Sequence, residues 1–147
     1  MTTHPVLAAA VLAAALTLGA CTAPGSPAPA PGAPASAAPA SGSFRTLDAA
    51  AFAELVARPG TVVLDVRTPA EYASGHLEDA VNVDVQAADF SDRVAELDPA
   101  AVYAVYCRSG SRSAAALATM RASGFSRADH LGGGIAAWQA AGLPVVR

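Results

Sequence analysis

The 147-residue chain has no lysine, and its first 43 residues hold no Lys, Arg, Asp or Glu. All nine basic residues are arginines from Arg45 onward, and the twelve acids lie in the same region. The net charge of −3 therefore belongs to the second part of the chain, which is long enough for one domain. Mild, evenly mixed acidity forms no basic stripe, so no nucleic acid partner is expected. Cysteine is equally scarce. Cys21 and Cys107 sit in different surroundings, which speaks against a mutual disulfide. No Cys-x-x-Cys pair and no Cys/His cluster suggests zinc. His4, His76 and His130 are far apart and read as surface or packing histidines, so neither a metal nor a cofactor is expected.

What the N-terminal part does contain reads as an address. The run Val6 to Leu18 is Val, Leu, Ala and one Thr, too short to span a bilayer but suited to a signal-peptide core. Leu18-Gly19-Ala20-Cys21 follows and resembles the lipobox of bacterial lipoproteins, although no Lys or Arg precedes the run. The resemblance implies a signal peptide over 1–20 and a lipid-modified Cys21. The domain would then be anchored to the bacterial cell membrane on its extracytoplasmic side. Residues 22–43 are Thr, Ala, Pro, Gly and Ser only, with nothing bulky to bury. The segment 21–43 is therefore expected to be a disordered tether.

From Phe44 the element types alternate. Asp48 caps a predicted helix through Ala57, closed by Pro59-Gly60. Thr61 to Val66 is β-branched and apolar, a buried strand. Thr68-Pro69-Ala70-Glu71 forms a capping box with Pro at the first helical position. A strand is expected over 80–85, a helix over 90–97 capped by Asp89 or Ser91, and a strand over 102–106. A helix over 113–123, a strand over 128–131 and a last helix over 135–141 complete the pattern. Such alternation predicts an α/β domain with a mainly parallel sheet, whose ligands bind beyond the strand C-termini. Cys107 and the segment Asp65-Val66-Arg67 both fall at such ends.

Cys107 opens the run Cys-Arg-Ser-Gly-Ser-Arg-Ser, and a helix-forming, alanine-rich stretch follows. The thiolate is the nucleophile, and a helix N-terminus with nearby arginines favours it. Residues Arg108 to Arg112 can turn several backbone N–H groups inward as an anion nest. Gly110 permits a positive φ inside the turn, and Ser109, Ser111 and Ser113 supply hydroxyls.

This loop closely resembles the active-site loop of rhodanese-type sulfurtransferases. Leu64-Asp65-Val66-Arg67-Thr68-Pro69-Ala70-Glu71-Tyr72, Gly75-His76-Leu77 and Ala80-Val81-Asn82 are similar to that family's N-terminal signature. Leu131-Gly132-Gly133-Gly134-Ile135 with Trp138, then Gly142-Leu143-Pro144-Val145, are similar to its C-terminal one. Asp79 departs from the pattern, where Gly is usual. The resemblance implies a three-layer α/β/α domain over 44–147 with about five strands. It also implies sulfurtransferase activity: Cys107 takes a sulfane sulfur from a small-molecule donor and passes it to a thiol or cyanide acceptor. Donors in view are thiosulfate, polysulfide and a low-molecular-weight persulfide. The amides of Arg108, Ser109, Gly110, Ser111 and Arg112 would hold the persulfide, and Arg112 or Arg108 would brace the loop or bind the donor. Asp65 and Arg67 would support the loop from behind, while Glu71, His76 and Trp138 would have structural roles. Some thiosulfate-using members carry basic residues at the positions of Ser109 and Glu71, which disfavours thiosulfate here.

Two other readings stand beside this one. A phosphatase or arsenate reductase would place five residues between Cys and Arg, whereas four separate Cys107 from Arg112. A sulfur- or redox-binding surface module would use the same loop without turnover. Cys107 has no resolving partner in the domain, so donor and acceptor must both come from outside.

Overall fold

The computed structural model describes residues 42–147. The signal peptide expected over 1–20, the lipidation expected at Cys21 and all but the last two residues of the expected tether lie outside them. The elements run β1 Thr46–Leu47, α1 Ala49–Val56, β2 Thr61–Asp65, α2 Pro69–Ser74, β3 Val81–Asn82, α3 Phe90–Ala95, β4 Val102–Tyr106, α4 Ser111–Ala122, β5 Ala128–Leu131 and α5 Gly134–Ala140. The five strands form one sheet in the order β1-β5-β4-β2-β3, and every pairing is parallel.

Strand parity divides the core into two layers. Tyr103 and Val105 of β4, with Leu64 of β2, point to the face covered by Phe90 and Val94 of α3 and Ala116, Leu117 and Met120 of α4. Ala104, Tyr106 and Val63 point to the other face, covered by Phe52 and Leu55 of α1 and Ile135 and Trp138 of α5. A strand buried on both faces reads as an unbroken apolar run, and β2 and β4 do. The result is the expected three-layer α/β/α domain.

The connections also sort by direction. The step from β2 goes toward β3, while the step from β4 goes the opposite way, toward β5. Neighbouring strands whose chains leave in opposite directions open a crevice at their C-terminal ends, where open α/β sheets bind ligands. The segments after β2 and β4 meet there.

Local chemistry explains most boundaries. Asp48 accepts the Ala51 N–H at 2.8 Å, and the Thr68–Glu71 capping box is complete. Trp138 is a core residue of α5, and its Nε1–H donates to the Pro144 carbonyl. His76 stacks on Tyr72 with ring centroids 3.8 Å apart. Asp79 has φ 57, the sole positive φ outside glycine among the described residues, and Asp tolerates that region better than most.

Four differences from the expected elements have physical causes. Strand β1 was not foreseen: two residues pair with His130 and Leu131, too few to show a period. Strand β3 covers two residues rather than six, because beyond Asn82 the chain stays beside β2 through isolated bonds, Val83 N–H to Asp65 O and Val85 N–H to Val66 O. Helix α3 begins without a side-chain cap from Asp89. Helix α4 starts at Ser111, two residues early, because Gly110 at φ 99 completes the turn. In addition, Ser43, which composition alone groups with the tether, already belongs to the domain: it bridges Arg127 and its hydroxyl donates to Asp129.

Candidate active site

Cys107 follows the last residue of β4 and has the parity of Tyr103 and Val105, so its side chain enters the α4 face. It is fully buried, while Arg108, Ser109 and Ser111 around it are exposed. The loop is shaped from the opposite side by the glycines before α5. Gly134 has φ 60, and a Cβ there would fall far inside van der Waals contact with the Cys107 carbonyl oxygen. That closeness lets the Ile135 N–H reach the Cys107 carbonyl at 2.8 Å and the Ala136 N–H reach the Arg108 carbonyl at 3.3 Å.

With its carbonyls drawn outward, the loop turns its amides inward. The Gly110 N–H donates to Cys107 Sγ at 3.1 Å. Among the described residues, the N–H groups of Arg108, Ser109, Ser111, Arg112 and Ser113 have no carbonyl partner. Such unspent donors at the start of a twelve-residue helix favour an anion, and the neighbouring Gly110 amide already donates to the sulfur. Burial alone would raise the Cys107 pKa. The Ser113 amide and hydroxyl and the Ser109 and Gly110 amides outweigh it, so the thiol lies below its ordinary value.

Arg112 spends its guanidinium on an acid rather than on a hydrogen bond to the sulfur. Its guanidinium grips Glu71 at the start of α2, with Nη2 2.7 Å from Oε1 and Nη1 2.8 Å from Oε2, and it reaches Gln86 Oε1 at 3.3 Å. Glu71 thus does more than close its capping box. Arg112 first, and then the Thr68 N–H and hydroxyl, pull its pKa down to about 2 against the opposing effect of burial. Arg108 has no ion pair among the described residues.

Asp65 and Arg67 form a buried pair behind the site. Arg67 Nε donates to both Asp65 oxygens at 2.9 and 3.0 Å, and Nη2 donates to the Gly75 carbonyl at 2.8 Å. The guanidinium lies over the Tyr106 ring, 5.5 Å from its centroid. No hydrogen bond runs from either side chain to residues 108–112. They meet the end of β4 at Tyr106, whose carbonyl accepts the Val66 N–H.

The structure therefore brings Cys107, Ser109, Gly110 and Ser113 together around one sulfur. It places Arg112 in an ion pair, Arg108 in solvent, and Asp65 and Arg67 one layer back. Two participants escape the sequence reading. Gly134 shapes the loop by close approach, which glycines between a strand and a helix could have signalled. His130 contacts Ser113 inside the domain, and nothing in its sequence neighbourhood announces it.

The rhodanese-like domain family matches residues 48–141. A sulfurtransferase of Allochromatium vinosum is 37% identical over 101 residues, spanning 68% of this chain and 92% of that protein. The thiosulfate sulfurtransferase GlpE of Pseudomonas fluorescens is 40% identical over 88 residues, spanning 59% of this chain and 78% of that one. The crystal structure of a rhodanese-related protein from Thermoplasma volcanium superposes with a TM-score of 0.62 at 32% identity, over 70% of this chain and 98% of the other. Fold, glycine-shaped cysteine loop and family match agree, and the chain belongs to the rhodanese-like domain family.

Proposed function

We propose that the protein is a sulfurtransferase that carries sulfane sulfur on Cys107. The observation that carries this reading is the inward-facing amide cluster centred on a buried thiol whose pKa is held low. In the first step the Cys107 thiolate attacks the outer sulfur of the donor. The new S–S bond forms as the donor's own bond to that sulfur breaks, and its electron pair leaves with sulfite, a thiolate or a shortened polysulfide. Cys107 then bears a persulfide anion, which the loop amides stabilise as they would an oxyanion. An acceptor nucleophile, thiolate or cyanide, takes the outer sulfur and returns the Cys107 thiolate.

The ion pair between Arg112 and Glu71 bears on the donor. It cancels the charge of one loop arginine and leaves Arg108 as the unpaired guanidinium beside the loop. One net positive charge favours a monoanionic persulfide over dianionic thiosulfate.

Mass spectrometry of the protein after exposure to thiosulfate, polysulfide and glutathione persulfide, with Cys107→Ser as control, tests the reading. The expected result is a gain of one sulfur on the native protein alone, removed by cyanide and regained over repeated cycles. One release followed by silence would favour a binding module, and no adduct with any donor would overturn the assignment.

A further inference from the structure

His130 is buried in β5, yet both ring nitrogens have hydroxyl partners. Nε2 lies 2.9 Å from Thr46 Oγ1 on β1, and Nδ1 lies 3.0 Å from Ser113 Oγ on α4. Ser113 Oγ in turn lies 3.0 Å from the Gly110 carbonyl oxygen. A carbonyl only accepts, so Ser113 donates there. A hydroxyl has one proton, so the contact to His130 is a hydrogen bond only if Nδ1–H is the donor. A neutral imidazole then has a bare Nε2, which accepts from the Thr46 hydroxyl. Donor and acceptor roles close along the whole chain from Thr46 to Gly110, whose N–H donates to Cys107 Sγ.

We propose that His130 is a positioning residue for sulfur transfer: its Nδ1–H donates to Ser113 Oγ and so turns the Ser113 hydroxyl proton toward the cysteine loop, in support of anionic sulfur on Cys107. The inference rests on Cys107 being the reacting group.

Were Nδ1 bare, the Ser113 proton would turn to the imidazole and the loop would lose it. With Nδ1 protonated, the hydroxyl proton stays on the loop side, on the carbonyl of Gly110, the residue whose N–H donates to the sulfur. The same carbonyl accepts the Ala114 N–H at 3.0 Å, so hydroxyl and helix together hold the Gly110 peptide in place. Ser113 is the residue whose amide and hydroxyl do most to lower the thiol pKa. His130 thereby acts on a sulfur it does not touch.

The charged groups near the ring are Asp129, its neighbour on β5, and Arg121 of α4, which with Phe44, Ala114, Leu117 and Ala118 lines a cavity of about 220 Å³ beside the imidazole. Burial lowers the His130 pKa more than Asp129 raises it, which favours the neutral ring. Protonation in acid adds a proton at Nε2 and leaves Nδ1–H in place, so acid does not reverse the hydroxyl.

Long-range ¹H–¹⁵N correlation on the full-length, ¹⁵N-labelled protein reads the tautomer directly. An Nδ1–H tautomer at His130 is expected, and an Nε2–H tautomer would overturn the proposal without any variant being made. Iodoacetamide alkylation of Cys107 across pH supplies the functional reading. His130→Leu, which fills the space without a donor, should slow alkylation at pH 7 by about fivefold and move the profile to higher pH. His130→Asn, whose amide can still donate to Ser113, should recover most of that loss. An unchanged profile in folded His130→Leu would also overturn the proposal. Alkylation needs no sulfur donor, so a protein that alkylates as expected yet never takes up sulfur sinks the sulfurtransferase reading and leaves the His130 linkage standing.

Discussion

The segments that follow β2 and β4 stand side by side at the same end of the sheet, yet they use their polar groups in opposite ways. After β2, Asp65 and Arg67 spend their donors and acceptors on each other, on the Arg67 amide and on the Gly75 carbonyl. Asn82 closes the remaining carbonyls, its amide donating to Asp65 O and Arg67 O at 2.9 and 2.8 Å. After β4, the six consecutive amides from Arg108 to Ser113 have no carbonyl partner, and that of Gly110 donates to a sulfur. A crevice at a switch point offers two loops of equal opportunity. The satisfied one becomes scaffold, and the unsatisfied one has something left to offer a ligand.

The largest expected effect breaks the scaffold side. Asp65→Asn removes the partner of a guanidinium that is 4% exposed, and a stranded buried charge costs about 3–5 kcal/mol. For a domain of this size that lowers the melting temperature by roughly 15 °C or more. Because neither side chain hydrogen-bonds residues 108–112, sulfur transfer per folded molecule should stay within about threefold of the native protein at low temperature. Thermal melting with activity normalised to folded fraction checks both halves. A large loss of turnover in fully folded Asp65→Asn would show that the two loops are one unit.

Gly134→Ala strikes the other side. The new methyl must displace the Cys107 carbonyl, and φ 60 is a strained place for alanine. A cost of about 2 kcal/mol is expected from strain and contact together. The loss of sulfur transfer should be greater in proportion, about tenfold or more, because the displaced carbonyls are what aim the amides at Sγ. Denaturation by urea set against turnover separates the two losses. If activity falls only as far as stability does, the glycines merely fill space.

These contrasts also mark what a sequence can display. The capping box Thr68–Glu71, the apolar strands Thr61–Asp65 and Val102–Tyr106, and the cysteine loop are written within a few consecutive residues, and all are legible there. Strand β1 has two residues and no period of its own. Glu71 looks fully employed by Thr68, so its grip on Arg112, 41 positions away, has no local sign. His130 meets Thr46 and Ser113 only because β5 lies between β1 and β4, a fact of strand order rather than of composition. Local hydrogen bonds are readable from spacing; those made by the crossovers are not.

The smallest effect sharpens the boundary between the two regions, because the Glu71–Arg112 pair lies on it. Both side chains are about a quarter exposed, 28% and 24%, so solvent screens them and the pair is worth on the order of 1 kcal/mol. The Glu71 carboxyl titrates near 2 in the fold and near 4.5 when unfolded. A depressed folded value means the stabilisation is complete above pH 4.5 and fades as pH falls toward 2. Glu71→Gln should therefore be less stable than the native protein at pH 7, and the gap should close across that acid window. The same substitution uncovers the Arg112 charge beside the loop. Turnover with thiosulfate should rise about threefold at low ionic strength relative to turnover with a monoanionic persulfide, and the advantage should shrink as salt is added. A stability gap that closes in acid without any change in donor preference would assign Glu71 to the scaffold; a shift in preference that salt erases would place it at the mouth of the site, as the residue that sets how much charge the sulfur donor meets.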